Sequence, residues 1–363
     1  MSLRLRCLIL VGLLPACGGS PSSAPRVRVP VAAPTNNPGS EAKVQLGRHL
    51  FYDPRLSINN SRACGTCHEQ KKAFTDGFAR AIGATLQVHS LSSLSLANVA
   101  FRPQLNWRNP MPLSLEDQLL IPLLGTHPVE MGMAGHEDEL LARLAAEPRY
   151  APLFAAAYPG DVAPFTLLHV AQAIAWFERT LISEDNAYDR FTAGNEGALS
   201  DVAKAGADFF FNEAGCGQCH NGPDLNQDPT RVNDFHNLGL YNLDGAGAYP
   251  DGAQGMIEVT AQPADMGRFR TPTLRNIALT SPYFHDGSTA TLNEAIRIHL
   301  DGGRNVTQGP RAGDGTKSPL RSPLLAPRAL SDAQVWAVEV FLRSLTDDAF
   351  ITNPALANPW PQP

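Results

Sequence analysis

Apolar side chains recur at three- and four-residue intervals in four stretches of this chain, and helix punctuation frames each one. Across 165–183, Leu167, Val170, Ile174, Phe177 and Leu181 share a face, the spacing of a helix packed on a core. Across 331–345, Val335, Val338, Phe341, Leu342 and Leu345 form a second stripe, opened by a Ser331/Gln334 capping box. Residues 40–54 carry Val44, Leu46, Leu50 and Phe51 behind Ser40 as N-cap, and the pattern stops before Pro54. Residues 199–211 repeat that design behind Ser200. Strand-like alternation is short and scattered. The pattern predicts a mainly α chain in two domains, with long loops, little β and a boundary near Asn195. Thirty glycines and thirty prolines in 363 residues agree with the loops, since average domains use roughly 12% of the two combined.

The N-terminus departs from this pattern. "MSLRLRCLILVGLLPACGGS" sets Arg4 and Arg6 before an apolar run from Cys7 to Leu14, which is too short to span a bilayer and is closed by Pro15. Residues 1–17 therefore read as an export signal. "LLPAC" resembles a lipobox, which makes Cys17 the lipidated first residue of the mature chain; ordinary secretory cleavage nearby is the alternative. Residues 18–39, rich in Ser, Pro and Ala, read as a flexible tether. The body is expected in the periplasm, attached to a membrane by a lipid alone. Lys and Arg total 29 against 35 Asp and Glu, a net charge of -6 with no long basic block, which argues against nucleic acid as a partner.

Four of the six cysteines remain for the body, and all four lie in two copies of one motif, "ACGTCHEQ" at 63–70 and "GCGQCHNG" at 215–222. C-x-x-C-H is the attachment signal of c-type haem. Each thiol adds to a vinyl group on one porphyrin edge, and the adjacent histidine ligates the iron. A redox C-x-x-C needs no histidine. A zinc site using all four thiolates is the competing reading, and it leaves two histidines at identical offsets unexplained. The motifs assign two covalent haems, at Cys64, Cys67 and His68 and at Cys216, Cys219 and His220. Each motif follows a helix and a loop, as in a duplicated unit.

"LGRHLFYDPRLS", the two haem motifs, "LEDQLLIPLLGTHPVEMG" and "GRFRTPTLRNIALTSPYFHDGS" resemble the bacterial di-haem cytochrome c peroxidase/MauG superfamily over 40–346. "SLSLANVAF", "LYNLDGAGAYP" and "PADMGRFRTPTLRNIALTSPYFHDGSTATL" resemble its methanobactin-associated MbnH branch. The resemblance implies two cytochrome c-like haem domains: 40–195, peroxide-reactive, and 196–350, electron-transferring, followed by a tail at 351–363.

The same resemblance implies what opposes each iron. For the second haem, counting along from "LTSPYFHDG" reaches His299, so His220 and His299 are expected to close that iron from both sides; a surface histidine is the plainer reading, and Met256 and Met266 are rivals. For the first haem, Ala84 stands where many relatives carry a removable histidine, which leaves the face opposite His68 open; His89 is a substitute if the loop shifts. Gln118, Pro122 and Glu130 are implied on that open face. Peroxide heterolysis needs one group to take a proton and return it. Glu130, in an apolar wall between Val129 and Met131, suits this, and the lengthened loop also admits His127. Trp107 matches a tryptophan between the haems; packing filler is its plainer reading. Ser92, Thr280 and Pro282 match the ligand positions of an inter-haem calcium ion, with Ser92 replacing an asparagine.

Three functions follow from this resemblance. The first is an oxidase that uses H2O2 to reach a high-valent, bis-ferryl type state and oxidises a protein partner, as MbnH-type proteins oxidise a tryptophan of copper-binding MbnP to kynurenine. The second is a peroxidase that reduces H2O2 with electrons from a small cytochrome or copper protein. The third is a non-enzymatic electron-transfer cytochrome.

Overall fold

The expected helix punctuation is realised as hydrogen bonds in the computed structural model, which describes residues 33–226 and 235–361. Ser40 Oγ accepts from Lys43 N ahead of helix Glu41–Phe51. Thr166 does the same for Leu167–Arg179, and Ser200 for Asp201–Asp208. At Asp332–Arg343 both bonds of the Ser331/Gln334 box form. Each satisfies backbone N–H groups that a helix start leaves without partners. Two further helices, Leu115–Leu124 and Leu292–Leu300, carry residues of the site. Strand content among the described residues is small: Phe235–Asn237 pairs antiparallel with Arg268–Arg270, and Asn305–Val306 with Gly313–Asp314. The mainly α, loop-rich expectation holds.

The apolar stripes close two large cores. Leu46, Leu50 and Phe51 meet Val170, Ile174, Phe177 and Leu181 in the first. Ala203, Phe210, Val335, Val338, Phe341 and Leu342 build the second. The two share one helix-crossing device. A Cβ at Gly47 would lie 1.9 Å from the Ala173 carbonyl oxygen, and a Cβ at Gly206 would lie 1.9 Å from the Ala337 carbonyl oxygen. Only a hydrogen fits at either crossing. Helix 41–51 therefore lies directly on 167–179 in one core, as 201–208 lies on 332–343 in the other, which is the structural form of the repeated sequence unit.

The tether, expected to be flexible, and the tail are both anchored where they are described. In the tether, Asn37 is buried, donates to Glu116 Oε1 (2.7 Å) and the Gln172 carbonyl (3.1 Å), and accepts from Lys43 Nζ (3.0 Å). The tail segment folds back across the first core: Phe350 and Leu356 are buried in it, Trp360 packs on it, and the Trp360 indole N–H donates to the His49 carbonyl (2.9 Å). Four apolar side chains within eleven residues, Phe350, Ile351, Leu356 and Trp360, account for that docking. The signal at 1–17, Cys17 and tether residues 18–32 lie outside the described residues. Among the described residues no helix is long and apolar enough to cross a membrane.

Candidate functional site

Each C-x-x-C-H motif opens onto a cavity of its own. None of the four thiols forms a disulfide, and the two pairs lie in separate cavities. A four-thiolate zinc site is therefore not formed, and no cluster of three or more potential His, Cys, Asp or Glu metal ligands occurs among the described residues. Burial pushes the Cys67 thiol up to about 11 and the Cys216 thiol up to about 12, so these groups stay neutral as thiols.

The histidines are held as a haem iron requires. Nδ1 of His68 donates to the Phe74 carbonyl, that of His220 to the Leu225 carbonyl and that of His299 to the Ala295 carbonyl, each at 2.8 Å. A carbonyl can only accept, so the proton sits on Nδ1 and Nε2 keeps its lone pair. Burial lowers the proton affinity of all three and takes His220 down to about 3, so the imidazoles are neutral donors. Paired thiols outside any disulfide, beside an Nε2 lone pair in a cavity with mostly apolar walls, fit a covalently attached haem in both places.

The second cavity, about 210 Å³, is bordered by Cys216, Cys219, His220 and His299 together. His299 lies in the last turn of helix 292–300, with its ring stacked against Phe284 at 5.6 Å. Neither Met256 nor Met266 borders this cavity. Counting along the chain thus leads to a side chain that shares the cavity with His220.

The first cavity, about 380 Å³, holds Cys64, Cys67 and His68 with Gln118, Pro122 and Glu130. Helix 115–124 brings Gln118 and Pro122 to its wall; Ser114 Oγ caps this helix through Asp117 N, and Glu116 ties it to Arg179 by two bonds of 2.9 and 3.0 Å. Glu130 follows in a loop whose backbone is pinned on both sides, since Met131 N donates to the Pro122 carbonyl (3.0 Å) and Ala84 N to the Glu130 carbonyl (2.7 Å). That second bond, with Ala84 itself buried, fixes a methyl at this point of the loop. Two expectations change here. His127 is exposed, touches Thr126 Oγ1 (3.1 Å) and does not border the cavity, because the Thr126–Val129 bridge turns the extra loop residues outward. The surroundings of Glu130 are not wholly apolar, since His89 Nε2 lies 3.3 Å from its Oε1.

Glu178 lies in helix Leu167–Arg179, within the stretch whose spacing predicts a core helix. Its carboxyl borders the first cavity, where burial pushes it up to about 8. The available signal was its position four residues after Ile174, on the apolar stripe itself.

Trp107 and Ser92 border both cavities. The indole N–H donates to the Ser92 carbonyl (2.8 Å), and the Trp107 carbonyl accepts from Arg270 N (2.9 Å) in the short sheet of the second half. Thr280 and Pro282 border the second cavity near Ser92, whose hydroxyl donates to the Phe284 carbonyl (2.9 Å).

Residues 41–197 match the family described as di-haem cytochrome c peroxidase. The methylamine utilization protein MauG of Methylorubrum extorquens is 33% identical over 90% of this chain and 84% of its own length. The cytochrome c551 peroxidase of Pseudomonas aeruginosa is 32% identical over 72% of each chain. Among solved structures, a MauG-like protein associated with microbial copper homeostasis superposes with a TM-score of 0.87 at 41% identity, over 95% of this chain and 99% of that one.

Proposed function

This chain belongs to the di-haem cytochrome c peroxidase/MauG family of haem oxidoreductases, and we propose that it is an exported peroxide-driven oxidase of a protein partner. When bound, the two haems supply peroxide activation and storage of two oxidising equivalents. Cys64, Cys67 and His68 hold one, and Cys216, Cys219 and His220 hold the other. His299 would hold the second haem together with His220, whereas in the first cavity Glu130, Gln118 and Pro122 accompany His68 and the further imidazole, His89, lies against Glu130. This asymmetry carries the reading, because a face closed by two strong ligands passes electrons and an open one admits peroxide. Glu130 takes the proton of the incoming peroxide and returns it to the leaving oxygen. Gln118, 3.4 Å from Asn106 Nδ2 through its own Oε1, orients the bound molecule. Trp107 couples the two sites.

The proposed partner is a copper-binding, MbnP-like protein bearing a tryptophan that becomes kynurenine. Its support is the likeness over nearly the whole chain to a MauG-like protein of copper homeostasis, together with Ala84 and His299. The periplasm, with a lipid on Cys17, is the proposed location. A calcium ion at Ser92, Thr280 and Pro282 is part of the proposal, because the oxygen donors suit it and the Ser92 hydroxyl, while donating to Phe284, keeps its lone pairs.

Incubating the haem-loaded protein with H2O2 and such a copper protein, then mapping the partner's peptides by mass spectrometry, tests the reading. Kynurenine at tryptophan supports it. Fast peroxide consumption sustained by reduced c-type cytochrome, with no partner modification, points instead to the peroxidase reading that the relatives named cytochrome c peroxidase keep open.

A further inference from the structure

We infer that His89 is a positioning residue of the first cavity, held beside Glu130 to orient its carboxylate rather than to ligate the iron; this rests on the peroxide reading proposed above. His89 borders the same cavity as His68, Gln118 and Glu130. Its Nε2 lies 3.3 Å from Glu130 Oε1, yet this solvent-shielded nitrogen makes no hydrogen bond. A buried imidazole nitrogen without a partner costs free energy unless it serves a charge or a ligand. Here the adjacent group is the carboxylate that handles the proton.

The backbone fixes this pairing. His89 N donates to the Ala81 carbonyl (2.8 Å) and Gly83 N to the Gln87 carbonyl (2.9 Å), which folds 81–89 into a narrow hairpin. Two further bonds tie the hairpin to the carboxylate's own segment: Ala84 N to the Glu130 carbonyl (2.7 Å), and Val129 N to Gln87 Oε1 (3.0 Å). A Cβ at Gly83 would lie 1.9 Å from the Val129 carbonyl oxygen, so the two segments touch backbone to backbone. His89 and Glu130 are therefore carried by one pinned unit. The imidazole faces Oε1 across 3.3 Å, which leaves Oε2 to meet peroxide. Arg62, His68, Arg108 and Glu178 are the other ionisable side chains facing this cavity besides the haem-binding cysteines.

The test uses the full-length haem-loaded protein with His89→Ala, His89→Gln and Glu130→Ala. Two rates are followed against pH: the Soret change on mixing with H2O2, and the binding of cyanide, which arrives as HCN and must give up its proton to a base beside the iron. His89→Ala is expected to slow both at least about tenfold and to change the shape of each pH profile, because the carboxylate loses the imidazole that orients it. His89→Gln, which keeps an N–H, restores most of the rate, and ferric EPR stays as in the parent. Should the alanine variant lose its haems, His89→Asn takes its place. Rates and profiles identical to the parent overturn the inference, as does a high-spin ferric signal that appears only once His89 is removed. A parent inert to H2O2 whose cyanide binding still depends on His89 sinks the peroxide reading and leaves the pairing standing.

Discussion

Trp107 donates its indole N–H to the carbonyl of Ser92 at 2.8 Å, and both residues border both haem cavities. The pair forms part of a wall shared by two sites that are built largely from different halves of the chain. An indole held by a fixed hydrogen bond can carry oxidising equivalents between the sites. Trp107→Phe is expected to leave peroxide consumption nearly intact and to lower partner oxidation at least about tenfold. Parallel assays of the two quantities check this. The lost hydrogen bond should cost about 1 kcal/mol of stability, readable from urea unfolding.

Glu130→Gln preserves size and removes the proton carrier. The Soret change on mixing with peroxide should slow by roughly 10²-fold or more, with the resting ferric spectrum unaltered. Stopped-flow mixing reads both. An unchanged rate would reassign proton handling to another residue of the cavity.

Glu178 links the first cavity to stability. Burial holds its carboxyl up at about 8 in the folded chain, against an ordinary value of 4.5. Between those two values the folded state binds a proton that the unfolded state has released, so stability falls as pH rises through this window. The urea midpoint should decline from about pH 4.5 to about pH 8, and Glu178→Gln should flatten that part of the curve.

The paired glycine crossings test the duplicated architecture. Gly47→Ala and Gly206→Ala each force a methyl against a carbonyl oxygen, Ala173 in one core and Ala337 in the other. Each should destabilise the protein by roughly 1–3 kcal/mol, visible as a lowered thermal midpoint. Because the contacts are to backbone, neighbouring side chains cannot relax to relieve them.

The parts of the molecule legible in the sequence were those whose cause is local. Ser40, Ser200 and Ser331 cap the helices they precede, and Cys, Cys and His at fixed spacing bring their own geometry. Gln118 and Pro122 were implied by the resemblance, and a single helix carries both to the cavity wall. Long-range closure was less visible. His127 looked equivalent to Glu130 along the chain, but a bridge four residues wide turns it to solvent. His89 could be assigned only once the hairpin at 81–89 was seen pinned to 129–130. Asn37 and Trp360 lie in stretches that read as tether and tail, and each is fixed by a partner more than a hundred residues away. Glu178 was hidden by its own helix, since a stripe of apolar residues gives no sign that one position on it opens into a cavity.

The central claim is a difference between two iron sites: His220 and His299 hold one, and His68 holds the other while His89 turns to Glu130. Low-temperature EPR of the resting ferric protein tests it most directly, with His299→Ala as the comparison. The account predicts one high-spin and one low-spin signal in equal amounts, and conversion of the low-spin signal to high-spin in the variant. Two low-spin signals in the parent, or a parent spectrum that His299→Ala leaves unchanged, would contradict it.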